Sequence, residues 1–165
     1  ISPWEINVIT SILDKRFQTE DEEIENTYEE KFVSHLEISF PYSFNDEFFK
    51  WFDYKEWDRL KGVFKEMKRR RGDGKAIRIN LNFSGQPDIN FVIESDESQW
   101  FKMEVEKIDF VVELLPYHLD EKNIPKDVKS VIYNFDQEAA RWRLNTVFTS
   151  EKKFVNSKNG WKLST

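Results

Sequence analysis

Six basic side chains lie close together in the middle of the chain: Lys61, Lys65, Lys68, Arg69, Arg70 and Arg71. Ammonium and guanidinium groups bind phosphate and carboxylate, and arginine does so through two parallel hydrogen bonds. Cations in a last helical turn also stabilise the helix dipole, but one or two are enough for that. Because adjacent arginines repel one another, we predict that this basic cluster binds an anionic or acidic protein partner. The alternative is that it only ends a helix.

The charge of the chain is strongly uneven. The 165 residues carry a net charge of −6. Residues 59–78 contain nine bases and two acids, a net charge of +7, which leaves −13 for the rest of the chain. Residues 18–30 contain seven acids and no base. This polarity favours an electrostatic partner. One hypothesis is that the 18–30 segment covers the basic helix until a competing polyanion displaces it.

A second group of polar residues occupies the outward positions of two predicted strands: His35, Glu37, Arg78, Asn80 and Asn82. If the two strands share a sheet, these side chains lie on one face of it. In such a group a glutamate acts as a base, an arginine binds an anion and an asparagine orients a substrate. The pattern predicts, as an alternative function, a small hydrolase or nucleotide-handling enzyme. An ordinary solvated sheet face has the same pattern.

Cysteine and histidine usage excludes several chemistries. The chain has no cysteine and two histidines, which excludes disulfides, thiol nucleophiles and cysteine-ligated zinc. His118 beside Asp120 and Glu121 is a weak candidate for a metal ligand or a general base, because its spacing matches no standard ligand pattern. We therefore predict neither a metal site nor a cofactor.

Nucleic-acid binding is a further alternative for the basic cluster. Its affinity would come from neutralised phosphates. The acidic net charge argues against it, and so does the absence of aromatic residues at the outward positions of residues 75–84, where RNA-binding sheets stack bases.

An aromatic cluster within residues 48–57 is the last candidate site: Phe48, Phe49, Trp51, Phe52, Tyr54 and Trp57. These side chains cannot all point the same way on a helix. They predict either a helix start packed into the core or an exposed patch that binds a protein partner or a second copy of the chain. No apolar run approaches the roughly 18 residues of a membrane span. The first residues also lack the pattern of a signal peptide. We predict a cytoplasmic protein without membrane contact.

Periodicity predicts the elements that position these residues. Helices are expected at 3–17, 55–71 and 96–115, with a cap at Asn45 and a break near Asp53-Tyr54 before the second. For 96–115 a strand is the alternative, but the helical pattern of Phe101, Val105, Ile108, Val112 and Leu115 spans more residues. Ser95 or Asp96 is expected to cap this helix, and Pro116 is expected to follow its end and begin a loop over 116–125. Gly72 is expected to end the second helix. Strands are expected at 31–40, in a hairpin of 75–84 with 89–93, in a second hairpin of 128–136 with 141–149, and near 161–163.

The order of these elements predicts the fold class. Its middle part has the split βαβ order of ferredoxin-like folds. We predict an α+β fold with a mostly antiparallel sheet, helices packed on one face, an extra N-terminal helix and a C-terminal β-hairpin. The length predicts a single domain over 1–165, with 1–30 as an appendage to an α+β core at 31–165. The leading functional hypothesis is a non-catalytic binding module whose anchors are the basic and aromatic clusters.

Overall fold

The computed structural model describes residues 1–23 and 32–164, and in these residues the chain forms five helices and seven strands. The helices are α1 (Pro3–Leu13), α2 (Asp46–Phe52), α3 (Tyr54–Arg71), α4 (Ser98–Lys107) and α5 (Val111–His118). The strands are β1 (Ser34–Phe40), β2 (Ile77–Phe83), β3 (Asp88–Ile93), β4 (Val128–Asp136), β5 (Arg141–Thr149), β6 (Lys153–Ser157) and β7 (Gly160–Ser164). The α+β class is confirmed.

The described strands form one mixed sheet in the order β1-β2-β3-β4-β5-β6-β7. Two neighbouring pairs are parallel, β1 with β2 and β3 with β4. The other four neighbouring pairs are antiparallel. The predicted ferredoxin-like order and antiparallel sheet are therefore not confirmed, because each parallel pair lies side by side with no strand inserted between its members.

The two parallel pairs are joined by crossovers of opposite hand. The β1–β2 pair runs in one direction and the β3–β4 pair in the other, because β2 and β3 are antiparallel. Both helical connections pack against the same face, through Phe48 of α2 on Phe83 and the Glu104 carbonyl of α4 on Trp142. Both connections move in the same direction across the sheet, but the strands that they join point in opposite directions. One crossover is therefore right-handed and the other left-handed, although about 98% of crossovers in proteins are right-handed. A ferredoxin-like order interleaves the strands and avoids this conflict, which explains why the pattern of elements favours it.

The buried core lies between the helices and one face of the sheet. Side chains alternate along β2, so that Ile79, Leu81 and Phe83 are buried while the residues between them are partly exposed. The register of β2 and β3 places Phe91 beside Leu81 on the same face. All five helices contribute to this core, for instance through Ile12 of α1. The opposite face of β1 and β2 is polar.

Local signals explain where α2 and α3 begin and end. The Asn45 side chain accepts a hydrogen bond from the Phe48 amide at 2.9 Å, as expected of a helix cap. Asp53 has a φ of 79° and separates α2 from α3, which confirms the predicted break. Its carboxylate accepts from the Lys55 amide at 3.0 Å. Gly72, also at a φ of 79°, ends α3 as predicted.

The helical interpretation of residues 96–115 is confirmed, but two details are wrong. The helix is divided between α4 and α5, and Pro116 lies inside α5 instead of following it. The predicted cap at Ser95 or Asp96 is also wrong, since Glu97 holds the cap position without a side-chain hydrogen bond. The Asp73 carboxylate caps this helix from a distant part of the chain, because it accepts from the Ser98 amide at 2.9 Å.

The elements near the two ends of the chain differ in part from the prediction. The first helix ends at Leu13 and not at residue 17, and Phe17 instead packs on Phe40 with ring centroids 5.5 Å apart. The β4–β5 hairpin and the last strand are confirmed. The strand β6 was not predicted, because its five residues carry little alternation of apolar and polar side chains.

A buried ion pair fastens α1 to α3. Two nitrogens of Arg71 each donate to the Glu5 carboxylate at 2.7 Å. The Glu5 side chain is 2% exposed and that of Arg71 is 17% exposed. The hydrogen-bonded Arg71 guanidinium lowers the pKa of Glu5 to about 2, against the opposing effect of burial. Arg71 also donates to the hydroxyl of Ser34 at the start of β1.

We expect Arg71→Met to lower the free energy of unfolding by about 3 kcal/mol, because the buried Glu5 carboxylate then loses its two hydrogen bonds to Arg71 and keeps only the more distant Arg70 guanidinium, 3.9 Å away, as a counter-charge. The double variant Glu5→Gln/Arg71→Met should recover part of that loss, since it removes the uncompensated charge. Urea unfolding at pH 7 measures both. A stability of Arg71→Met equal to that of the unsubstituted protein would contradict this account of the pair.

Candidate functional site

Two cations of the basic cluster lie in the protein interior. Lys68 is fully buried, and its ammonium donates to the carbonyl oxygens of Gly74 at 3.0 Å and Asp96 at 2.8 Å. Burial lowers the pKa of Lys68. The Lys61 ammonium lies 3.2 Å from Asp109 on the loop before α5. Burial lowers the pKa of Lys61, but the charges of Asp109 and Glu106 outweigh it and raise the pKa overall.

The other four cations have partners within the chain. Lys65 pairs with Glu106 and Arg71 with the buried Glu5. Arg69 forms two hydrogen bonds with Glu66 on the same helix. Arg70 lies over the ring of Trp4. Arg69 and Arg70 are the members of the cluster that are classed as exposed, so the structure does not bring the six cations together on one open surface.

The described part of the acidic segment lies beside β1, on the edge of the sheet. Residues 18–21 line a cavity of about 560 Å³ together with α1 and with residues 36–42. The hypothesis that this segment covers the basic helix falls partly on residues 24–30, which lie outside the described residues. Residues 18–23 take no part in the ion pairs of the basic cluster described above.

The structure brings the five residues of the predicted sheet-face site together. Asn80 Nδ2 lies 3.2 Å from His35 Nε2, and Asn82 Nδ2 donates to Glu37 at 2.8 Å. Arg78 lies opposite His35 in the register of β1 and β2, and its Nε is 3.4 Å from Glu94, the residue after β3. These polar groups therefore bind largely to one another across neighbouring strands.

Glu104 of α4 is a buried acid that sequence reasoning missed. It is 2% exposed, and its carboxylate accepts hydrogen bonds from the Glu94 amide at 3.1 Å and from the Ser95 hydroxyl. Burial raises the pKa of Glu104 to about 7. It borders a cavity of about 350 Å³ together with Asn134 and Gln137. A carboxyl group that titrates near neutral pH can exchange a proton, but both of its oxygens here hold the loop between β3 and α4.

His118 occupies a structural position. Its Nδ1 lies 2.9 Å from the buried hydroxyl of Tyr133 on β4. Burial lowers the pKa of His118 and raises that of Tyr133. No group of three or more metal-ligating side chains is placed to hold a metal ion within residues 1–23 and 32–164.

The aromatic cluster at residues 48–57 divides between core and surface. Phe48, Phe49, Phe52 and Trp57 are buried, as expected for helix starts packed into the core. Trp51 and Tyr54 are exposed. Tyr54 stacks on Phe49 with ring centroids 5.5 Å apart, so its ring is held in place at the surface.

The outer side of α5 carries a row of exposed apolar side chains that the sequence analysis did not identify. Phe110 is 62% exposed, Leu114 is 44% exposed and Tyr117 is 70% exposed. Their spacing of four and three residues places them on one side of a helix. The spacing of these three residues is visible in the sequence, but the neighbouring pattern of Ile108, Val112 and Leu115 predicts a different apolar side for this helix. Pro116 also placed Tyr117 in a predicted loop.

A shallow groove lies on the other side of α5, against the start of α2. It has a volume of about 470 Å³ and is lined by Val112, Leu115, Pro116 and Leu119 of the α5 region and by residues 45–47. Burial, followed by the charges of Asp46, Asp109 and Glu113, raises the pKa of Tyr54 at the start of α3. We name the exposed row of Phe110, Leu114 and Tyr117 the α5 surface.

Comparisons with known proteins give no further guide to function. No protein-family model, curated protein or solved structure matches the chain significantly. Among the helices in the described part of the chain, none has both the length and the hydropathy needed to cross a membrane.

We expect Glu104→Gln to change how stability depends on pH. Because folding raises the pKa of Glu104 from 4.5 to about 7, the folded state binds this proton more tightly. The stability that the folded protein gains from protonated Glu104 is present in full below pH 4.5 and is lost as the pH rises to 7. The stability of the variant relative to the unsubstituted protein should therefore increase by about 3 kcal/mol across this range.

Urea unfolding at pH 4.5, 6 and 8 measures the difference between the two proteins. The titrations of Glu5 and His118 occur in both, so they cancel in the comparison. A difference that stays constant with pH would contradict the assignment.

Proposed function

We propose that the protein is a non-catalytic interaction module and that its partner docks on the α5 surface. The observation that carries the proposal is the row of Phe110, Leu114 and Tyr117, three large apolar side chains that stay exposed on one side of a helix. Contiguous exposed apolar side chains are uncommon on soluble proteins and mark binding sites. Aromatic anchors are also enriched where partners bind tightly.

Catalysis at the sheet face has weaker support. An active site needs a nucleophile or base directed at a substrate in a concave site. Here His35 faces Asn80 and Glu37 binds Asn82, so these side chains bind to one another within the sheet and are not directed at a substrate. Glu104 has the pKa of a general acid, but its carboxylate is occupied by the loop that follows β3.

A photo-crosslinking amino acid at position 114, introduced in the native cells of the protein, tests the proposal. We expect one defined adduct, because a docked partner lies within reach of this position. The purified partner should bind the unsubstituted protein and lose about tenfold in affinity with either Leu114→Ser or Tyr117→Ser, as is typical of central interface anchors.

Leu163 provides the matched control, since it is also an exposed leucine, 60% exposed, but lies on the edge strand β7. The crosslinker at position 163 should give no such adduct, and Leu163→Ser should leave affinity unchanged. Equal adducts at both positions, or an affinity that Leu114→Ser and Tyr117→Ser leave intact, would refute the proposal.

An anionic partner at the end of α3 is a second candidate function. It is favoured by the exposure of Arg69 and Arg70, whose side chains are 67% and 43% exposed. Phosphate or carboxylate contacts at these two residues would produce binding that weakens steeply with salt. Because Lys68 and Arg71 are held inside the protein, this candidate rests on two arginines and not on the whole cluster.

Retention on heparin at low salt tests the second candidate. We expect the double variant Arg69→Ala/Arg70→Ala to elute at clearly lower salt than the unsubstituted protein, since it loses two exposed cations. Arg141→Ala/Arg143→Ala on β5 is the control with the same loss of charge. Equal shifts in both double variants would show that net charge alone governs retention and would sink this candidate.

A further inference from the structure

We propose that the outer edge of β1 binds an extended, basic segment of another protein, which adds a further strand to the sheet. The site is formed by β1, α1 and the residues that follow α1, so the inference goes beyond the function proposed for the α5 surface. Three observations carry it: the backbone groups of β1 that face away from the sheet, a cavity that runs along them, and the acidic side chains at its rim.

Within the described residues, β1 pairs with β2 alone and forms one end of the sheet. The Ser34 amide donates to the carbonyl that precedes β2, and the Phe40 carbonyl accepts from the amide that follows β2, both at 3.1 Å. The backbone groups of the even-numbered residues from 34 to 40 therefore face β2. Because alternate residues of a strand present their amides and carbonyls to opposite edges, those of Glu37 and Ser39 face outward, where a further strand can pair with them.

The cavity of about 560 Å³ beside β1 reaches this outer edge. All five consecutive residues 36–40 line it, although their side chains alternate between the two faces of the sheet. A cavity over one face would meet every second residue, so this cavity also meets the edge. Residues 18–21 line its far side, and no backbone hydrogen bond among the described residues joins them to β1.

The wall of the cavity suits the side chains of an added strand. Ile9 and Leu13 of α1 line it together with Leu36 and Ile38 of β1. An edge strand with an apolar space beside it binds an extended peptide in two ways at once. Backbone hydrogen bonds supply affinity, and the space takes every second side chain of the peptide and supplies specificity.

The acidic rim determines the charge of the added strand. Glu20 and Asp21 are exposed, line the cavity and form no ion pair with the described residues. The Glu37 carboxylate accepts a hydrogen bond from Asn82, which is neutral. With Arg16 as the cation of the lining, the rim has a net charge of −2. Lysine or arginine at alternate positions of the partner complements this charge, whereas a second copy of β1 would bring like charges together.

The length of β1 sets the length of a suitable probe. Its seven residues, Ser34–Phe40, extend for about 23 Å. An acetylated and amidated peptide of eight residues that alternates lysine with valine covers this length. Valine favours extended backbone and fits the apolar wall, and lysine complements the rim.

Fluorescence anisotropy with the labelled lysine–valine peptide tests the inference, and we expect saturable binding to the unsubstituted protein. Two derivatives, N-methylated at the four lysines or at the four valines, carry the same charge and the same number of methyl groups. Because an edge strand bonds to one alternate set of amides, one derivative should lose at least about tenfold in affinity and the other should stay within about twofold. Equal affinity of the two derivatives would overturn the inference.

A matched pair of variants on α1 tests the cavity. Thr10→Trp fills the cavity and should weaken binding of the lysine–valine peptide by about tenfold, because it occupies the space of the inserted side chains. Ser11→Trp places the same side chain at the next position, which is exposed and outside the lining, and should leave affinity unchanged. Equal effects of the two variants would contradict a site in this cavity.

A second matched pair tests the charge of the rim. Glu20→Gln/Asp21→Asn should weaken binding about three- to tenfold and make it less sensitive to salt. Glu138→Gln/Glu151→Gln removes the same charge from the exposed turns that follow β4 and β5, and should bind like the unsubstituted protein. Equal losses in both double variants would show general attraction to an acidic protein and would refute the site.

Amide hydrogen exchange locates the contact on β1. In the free protein, the amides of Glu37 and Ser39 should exchange faster than those of Leu36 and Ile38, which face β2. Saturation with the lysine–valine peptide should slow the first two and leave the other two unchanged. Protection of Glu37 and Ser39 in the free protein, or no change on saturation, would overturn the inference. A dimer in sedimentation experiments that Thr10→Trp abolishes would overturn it in favour of a second copy of the chain.

Discussion

The last turn of α3 determines how the helices lie on the sheet, because two of its cations are bound inside the protein. Arg71 joins the buried Glu5 of α1 to Ser34 at the start of β1. Lys68 donates to backbone oxygens on both sides of the sheet's central hairpin, at Gly74 and in the loop before α4. Removing either partner would leave a buried charge or unpaired carbonyls, which is costly in a protein interior. These basic residues, whose types and spacing predict a ligand site, therefore mainly hold α3 against α1 and the sheet.

The internal contacts of these basic residues change the distribution of charge on the surface. Much of the positive charge of residues 59–78 is used inside the molecule or in local ion pairs, so the unpaired charges that remain elsewhere are mainly acidic. The helical layer presents its apolar row at α5, next to the exposed Glu113. A surface of this kind gains affinity from apolar anchors and gains specificity and association rate from its charges.

Local patterns predicted much of the fold and little of the site. Alternation along β2 and the turn signals at Asn45, Asp53 and Gly72 act within a few residues, and each was found where predicted. The strand order depends on how two crossovers are arranged in space, and this chain departs from the usual handedness. The Lys68 ammonium is buried because it binds carbonyl groups outside its own helix, so its burial could not be predicted from the run of basic residues. The row at Phe110 was hidden because α5 has apolar residues on two sides.

Amide NMR spectra recorded during titration with the partner that crosslinks at position 114 test the central claim most directly, since they locate binding residue by residue. We expect shift changes concentrated at residues 109–119, with little change at residues 65–75 or along β1 and β2. Changes concentrated at residues 65–75 would mean that the basic end of α3 is the binding site. Changes spread along the polar face of β1 to β3 would assign binding to the sheet. Either result would contradict the assignment of the α5 surface.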